Sequence, residues 1–280
     1  MKQDRGRGAV LLLPGLGWLL VFFLVPLAII LVVSVATRDR FGGVVLGAPT
    51  FDSYLRALDP GFIPTVVNSL KYAVATTILA IVIAYPMAYA ISRYGGRRKA
   101  LLLVLVMLPF WTSWVIRTYA WMILLRDNGV LNGVLGAVGL GPLSLLNTDV
   151  AVVLGMTYGF LPFTILPLYV AIDRLDPNLV QAARDLYANG RGAFLHVTLP
   201  LTMPGVVAAA ILTFIPTMGD FVTPDLLGGA QTTTIAKVIQ NAFLSSRDWP
   251  FGAALGFVMI LITIVGTLAG LRFLRREVIG

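Results

Sequence analysis

Asp220 is the side chain from which chemistry is most readily built in this sequence. It is an acid near the outer part of an apolar stretch, with Thr213 and Thr217 seven and three residues before it, so one polar stripe is expected along an otherwise apolar helix. An ionisable group inside a membrane is costly, and is a functional candidate for that reason. Pro216 also frees the carbonyl of Leu212 nearby, and the group as a whole suits a cation. The plainer alternative is a carboxylate that caps a helix end near water. A second constellation lies in PFWTSWVIRTYAW, Pro109 to Trp121. Trp111, Trp114, Thr118 and Trp121 recur every three or four residues and are expected to share a face. Their rings would receive an ammonium by cation–π attraction of about 0.5 to 2 kcal/mol each. Tyr119 and Trp121 also suit an aromatic belt at the membrane interface. Arg117 pulls the other way, since a guanidinium there pairs with an acid, snorkels outward or holds an anion.

Other chemistries are poorly supplied. There is no Cys and a single His, His196, which leaves no thiolate site and no basis for a protein-built zinc or iron centre or a Ser/His/Asp triad. Nothing resembles GxxxxGK[ST], so the chain is not expected to bind or hydrolyse ATP, to be an enzyme, or to hold a cofactor of its own.

The elements that position these residues follow from composition. Of 280 residues, 58% are apolar and 12% charged, and mean hydropathy is +0.88. A soluble domain carries about 25% charged residues. This chain is too apolar to cover itself in water, and an all-α, polytopic membrane protein remains. A crossing of the roughly 30 Å hydrocarbon core takes about 20 apolar residues. Six segments meet or approach that length: Ala9 to Ala36, Pro64 to Ser92, Ala100 to Leu125, Val150 to Ile172, Gly205 to about Pro224, and Phe251 to Leu274. The first is too long for a signal peptide and reads as a retained span in a single transmembrane domain.

Lys and Arg set the direction. Lys2, Arg5 and Arg7, the turn Arg93, Arg97, Arg98 and Lys99, the loop with Arg174, Arg184 and Arg191, and the tail Arg272, Arg275 and Arg276 hold 13 of the 21 basic residues. The positive-inside rule places them, and both termini, in the cytoplasm. The net charge of +8 therefore reports topology and contact with membrane lipid, and no nucleic-acid partner is expected.

Between the fourth and fifth spans lies AIDRLDPNLVQAARDLYANGRGAFLHVTLPLTMPG, Ala171 to Gly205. Asp176 before Pro177 is a helix start, and Gly190 suits a left-handed stop. Leu179, Ala182, Ala183, Leu186 and Tyr187 make a narrow apolar stripe on this short helix. A helix lying on lipid headgroups carries many Lys and Arg on one face. This one is rich in small residues and nearly charge-balanced, which fits docking into a groove of a soluble partner.

Gln181-Ala182-Ala183, Ala188, Phe194 and Val197-Thr198-Leu199-Pro200 before Pro204-Gly205 resemble the EAA loop of binding-protein-dependent ABC importers. The resemblance implies the type I importer permease, or MetI-like, fold with six transmembrane helices and a cytoplasmic EAA coupling loop over residues 173–204. It assigns contact with the ATPase to Asp176, Gln181, Ala182, Ala183, Asp185, Leu186, Ala188 and Gly190. Gln181 stands where the motif usually has Glu, and Tyr187 where it usually has Gly. The implied assembly is a pair of permease subunits, a cytoplasmic ATPase dimer that binds ATP and Mg, and an extracytoplasmic solute-binding protein, in the bacterial inner membrane.

The string Pro109 to Trp121, Met218 to Val222 with Pro224 to Gly229, and Arg247-Asp248-Trp249-Pro250 resemble permease subunits of spermidine/putrescine importers, over most of the chain from the second span to the sixth. That resemblance implies a polyamine cargo, a second permease subunit of different sequence, and a path at Asp220, Thr217, Thr213, Trp111, Trp114, Arg117, Tyr119 and Trp121. Opine-like compounds, aminophosphonates, sulfate or iron are the alternatives within the class. A secondary transporter or channel is the alternative outside it; paired repeats and a filter sequence, which would mark one, are not seen.

Overall fold

The computed structural model describes residues 14–39, 42–47, 49–140, 143–229 and 232–279, with 273–279 described for their backbone alone. Residues 9–13 of the first expected span, and Lys2, Arg5 and Arg7, lie outside the described residues. The described chain is overwhelmingly helical. In order it comprises α1 (Pro14–Ser34), a small antiparallel hairpin of β1 (Thr37–Arg38) and β2 (Val44–Val45), α2 (Asp52–Ala57), α3 (Ile63–Tyr94), α4 (Lys99–Met107), α5 (Trp114–Leu125) and α6 (Val130–Ala137). Then follow α7 (Asp149–Asp173), α8 (Pro177–Asp185), α9 (Gly190–Ala193), α10 (Leu199–Gly219), α11 (Val222–Leu227), α12 (Ile235–Leu244) and α13 (Trp249–Ile279).

Among the described residues five helical stretches are long and apolar enough to cross a membrane: Pro14–Ser34, Pro60–Tyr94, Asp149–Asp173, Gly190–Gly219 and Trp249–Arg272. The third expected span, Ala100 to Leu125, is not one straight helix. Its two halves, Gly96–Trp111 and Trp114–Ala137, meet at 89°. Pro109 enters a tight turn over Leu108–Trp111, and Thr112 and Ser113 are extended, with ψ of 152° and 137°. The Pro109 carbonyl accepts from both the amide and the hydroxyl of Thr112, at 3.3 and 2.7 Å, which keeps it satisfied at the break.

The fifth span also departs from expectation. Helix begins at Gly190 and ends at Gly219, whereas the sequence suggested Gly205 to about Pro224, so the loop proper is shorter than 173–204. Pro200 and Pro204 signal loop, yet both lie within α10. A wide π-turn over Phe194–Thr198 precedes Pro200, and the Leu199 amide donates to the Phe194 carbonyl five residues back. This turn opens the backbone where the proline ring would otherwise meet the preceding turn.

Packing divides the chain into two compact units, Met1–Ile63 with Val238–Ile260, and Pro64–Lys237 with Leu261–Gly280. In the first, Ala57, Ala242, Phe251 and Leu255 form a small core. Asp248 is 4% exposed and bonds Arg56 at 3.0 Å, with Arg38 at 3.7 Å. The side chain of α1 residues such as Trp18, Phe22 and Phe23 is more than half exposed, as an all-round apolar helix requires in lipid or against a partner.

In the second unit, α3 presents Ala73, Ala80, Ala84 and Ala88, all without solvent exposure. Their small size lets α3 approach α7 and α10 closely, around Tyr85, Ile165, Leu168, Ile172, Val206 and Ala209. Gly205 of α10 is in contact with α7, where a Cβ would run into Ala171. Thr164 and Thr213, both fully buried, hydrogen-bond across α7 and α10 at 2.8 Å, and Tyr85 and Thr202 do so across α3 and α10 at 2.7 Å. Thr77, Thr164, Thr202 and Thr217 also donate to the carbonyl four residues before, which hides their hydroxyls from an apolar surrounding.

Candidate functional site

Asp220 sits where α10 ends, and its backbone is extended. One carboxylate oxygen, Oδ1, accepts from the amides of Val222 at 3.0 Å and Thr223 at 3.2 Å, and so caps the start of α11. The other, Oδ2, is buried and makes no hydrogen bond among the described residues, with the side chains of Thr223 and Trp114 close to the carboxylate. Half of the carboxylate therefore holds a helix end, as the plainer reading of this acid has it, and the other half is buried beside it.

Asp220 also lines a cavity of about 300 Å³, together with Phe110, Trp114, Phe160, Phe163, Pro216, Gly219, Phe221 and Val222. Five of those side chains are aromatic. Trp114 packs on Phe160 with centroids 4.8 Å apart, and Phe110 meets Phe163 edge-on at 4.9 Å. Quadrupoles of these rings and one carboxylate give a site for a cation with a hydrocarbon body: the acid takes the charge, and the rings cover methylenes and add cation–π attraction. The 89° break in the third span builds this wall, because it turns α5 so that Trp114, its first residue, joins Phe110 from the other half.

The other residues of the expected path are distributed differently. Thr213 and Thr217 do not line the cavity. Thr213 meets α7, where it bonds Thr164, and Thr217 is buried and donates to the Thr213 carbonyl of its own helix at 2.6 Å. Trp111 is 79% exposed and, being before the break, does not share a face with Trp114. Thr118 is buried and donates to the Trp114 carbonyl at 3.0 Å, Trp121 packs on Tyr158 at 5.6 Å, and Tyr119 is 46% exposed. Among the described residues Arg117 pairs with no acid, and its guanidinium lies over Phe110 and Trp114, at 5.3 and 5.1 Å from their centroids.

Phe110, Phe160, Phe163 and Phe221 were not singled out from the sequence. Phe160 and Phe163 belong to an apolar run of α7 and carry no signal that separates a cavity wall from a core. Phe110 and Phe221 had one, since each adjoins a residue that the pattern marks, Trp111 and Asp220.

The loop helix has a separate geometry. Asp176 caps α8 by accepting from the Asn178 amide at 2.9 Å, as the Asp-Pro start implies. The stop is earlier than Gly190. After Leu186 the chain turns left-handed at Tyr187, with φ of 64°. The Ala188 amide donates to the Ala183 carbonyl and the Tyr187 amide to the Arg184 carbonyl, both at 3.0 Å, the paired bonds of a Schellman ending. Gly190 instead opens α9, capped by Asn189, whose side chain accepts from the Gly192 amide at 2.7 Å. Gln181, Ala182 and Asp185 are exposed, and Ala183 and Ala188 are half-buried. Leu186 is 82% exposed and Tyr187 fully exposed, so the apolar stripe of α8 is largely uncovered.

Known proteins resemble this chain throughout. The family model for a binding-protein-dependent transport system inner membrane component matches residues 77–277. The spermidine/putrescine transport system permease protein PotB of Haemophilus influenzae is 42% identical over 89% of this chain and 88% of its own. PotB of Escherichia coli is 39% identical over 88% and 90%. The crystal structure of a bacterial alginate ABC transporter in complex with an alginate pentasaccharide-bound periplasmic protein has a chain of the same fold, with a TM-score of 0.73 over 99% of this chain and 96% of that one, at 20% identity.

Proposed function

The chain belongs to the binding-protein-dependent transport system inner membrane components, and we propose on that premise that the Asp220 cavity is the polyamine station of its transport path. It is a multi-pass membrane protein and the permease subunit of an ABC importer for spermidine and putrescine. The observation that carries the assignment of the station is the Asp220 carboxylate in the lining of an aromatic-walled cavity, its buried Oδ2 making no hydrogen bond among the described residues. Asp220 receives one ammonium, Trp114, Phe110, Phe160, Phe163 and Phe221 cover the adjoining methylenes, and Arg117 lies on the same rings. One carboxylate does not match a cargo of two to four charges. The remaining acids come from a second permease subunit of different sequence and from the extracytoplasmic solute-binding protein.

Energy enters from outside this chain. A cytoplasmic ATPase dimer binds ATP and Mg and seats the uncovered face of α8, with Leu179, Ala182, Leu186 and Tyr187 as its apolar contacts and Asp176, Gln181, Ala183, Asp185, Ala188 and Gly190 around them. Both termini lie on that side. ATPase closure displaces α8, and the helices packed behind it transfer the movement to α7 and α10, which exchanges outside for inside access.

Uptake of labelled spermidine by the assembled importer tests the station. Asp220→Asn is expected to depress uptake strongly while the ATPase still co-purifies. Unchanged uptake at limiting substrate would remove Asp220 from the path. Deleting Leu179 to Ala188 is expected to abolish co-purification, and transport by the purified chain alone without ATP would refute the importer assembly.

A further inference from the structure

Arg117 and the Asp220 cavity share a wall. The guanidinium stands over Phe110 and Trp114, and both rings line the cavity that Asp220 also lines. Arg117 also borders a larger, almost wholly apolar cavity of about 630 Å³, whose polar contributions besides Arg117 are few, Tyr158 among them. Among the described residues no carboxylate lies within 4.0 Å of Arg117, and its Nε is buried without a partner. A cation held so, by rings and not by an acid, has no counter-charge among the described residues to offset it toward whatever else meets those rings.

A substrate ammonium in the cavity would use the same π surfaces. Two cations that each lie within about 6 Å of one ring are no more than about 12 Å apart. At the effective dielectric of a partly buried protein site, repulsion over about 10 Å weakens binding on the order of tenfold. With Asp220 counted, the empty station has one negative and one positive group and is close to neutral. A passage has to hold its cargo loosely enough to release it.

We propose that Arg117 limits affinity: it is a fixed cation that keeps the Asp220 station weak for polyamines, so that they pass through and do not lodge. The inference rests on the reading of Asp220 as the polyamine station. Arg117 acts on the cargo through shared rings and charge, and sets how long it stays.

The test uses the complete importer in lipid nanodiscs, with two readouts: equilibrium retention of radiolabelled spermidine without binding protein or nucleotide, and binding-protein-driven uptake in proteoliposomes. Arg117→Gln is expected to tighten retention on the order of tenfold while lowering maximal uptake. Arg117→Lys, which keeps the charge, should keep retention weak. Adding Asp220→Asn to Arg117→Gln should abolish the gain. Arg117→Met, whose chain packs on the same rings, takes the place of the Gln variant if that one does not assemble. Retention by the neutral variant equal to or below that of the unmodified importer overturns the proposal, and a decrease would mark Arg117 as an anion ligand. A lysine variant that tightens like glutamine also overturns it, because packing and not charge would then be the cause. The two levels separate: uptake that survives Asp220→Asn removes the station itself, whereas loss of uptake in that variant with no tightening at Arg117 removes only the role of Arg117.

Discussion

The indole of Trp114 lies directly against the α7 backbone at Gly159, where a Cβ would come within 2.9 Å of ring atom Cζ3 and closer still to Cη2. Phe160 blocks retreat on one side of the ring. Gly159 is needed here for its missing side chain, since no unusual backbone angle is involved. Gly159→Ala is therefore expected to overpack this contact at a cost of about 1 to 3 kcal/mol and to tilt Trp114 out of the cavity wall. Spermidine uptake should fall while the subunit still assembles, and the thermal unfolding midpoint should drop. Normal uptake together with an unchanged midpoint would show that the ring has room that this geometry denies it.

Thr213 makes the opposite case. Its hydroxyl bonds Thr164 between α7 and α10 and has no share in the cavity. Thr213→Val should lower stability by about 0.6 kcal/mol, the average for such bonds between membrane helices, and leave the concentration dependence of uptake as it was. A marked rise in the substrate concentration for half-maximal uptake would return Thr213 to the path.

Tyr187 occupies a left-handed position that costs a non-glycine residue about 1 kcal/mol or more. Tyr187→Gly should raise the stability of the loop by about that amount, seen as slower proteolysis between α8 and α9. Its fully exposed ring would be lost at the same time, and ATPase co-purification should weaken. Tyr187→Ala keeps the strained backbone without the ring, so it separates the two effects: weaker co-purification with no gain in protease resistance.

Asp248 joins three tasks in one carboxylate. It binds Arg56 and Arg38, and Oδ1 accepts from the Phe251 amide at 3.3 Å, at the start of α13. Asp248→Asn keeps a cap and gives up the charge, whereas Asp248→Ala gives up both. The Ala variant should be less stable than the Asn variant by about 1 kcal/mol, as measured by thermal unfolding of the purified subunit.

Composition made the apolar helices legible, because length and hydropathy alone decide whether a segment can cross a bilayer. The Asp-Pro start of α8 was equally plain, for a cap and a preset φ act within a few residues. Legibility failed where three-dimensional neighbours decide. Pro200 and Pro204 read as loop because a π-turn leaves no mark in residue type. Trp111 and Trp114 read as one face because regular spacing presumes a continuous helix, and Thr112-Ser113 breaks it. Thr213 and Thr217 read as a lining because the sequence shows a polar stripe but not where its hydroxyls go: Thr213 bonds Thr164 of α7 and Thr217 the Thr213 carbonyl. Asp220 was found through the cost of burying an acid, and its aromatic surround was found only in part, since phenylalanine in an apolar run looks alike in a wall and in a core.

The π-turn at Phe194–Thr198 has a bearing on insertions and deletions. A π-turn is an α-helical turn that carries one surplus residue, so one residue lost here would restore ordinary winding before Pro200 and leave the side chains from Leu199 onward close to the faces they already present. An α-helix advances about 100° per residue, and one residue lost from the regular winding between Pro200 and Thr213 would instead turn Thr213 away from Thr164 and Asp220 away from its cavity, although no residue of either pairing had changed. The chain between loop and station is thus tolerant of a change in its count at the π-turn and intolerant of one beyond it.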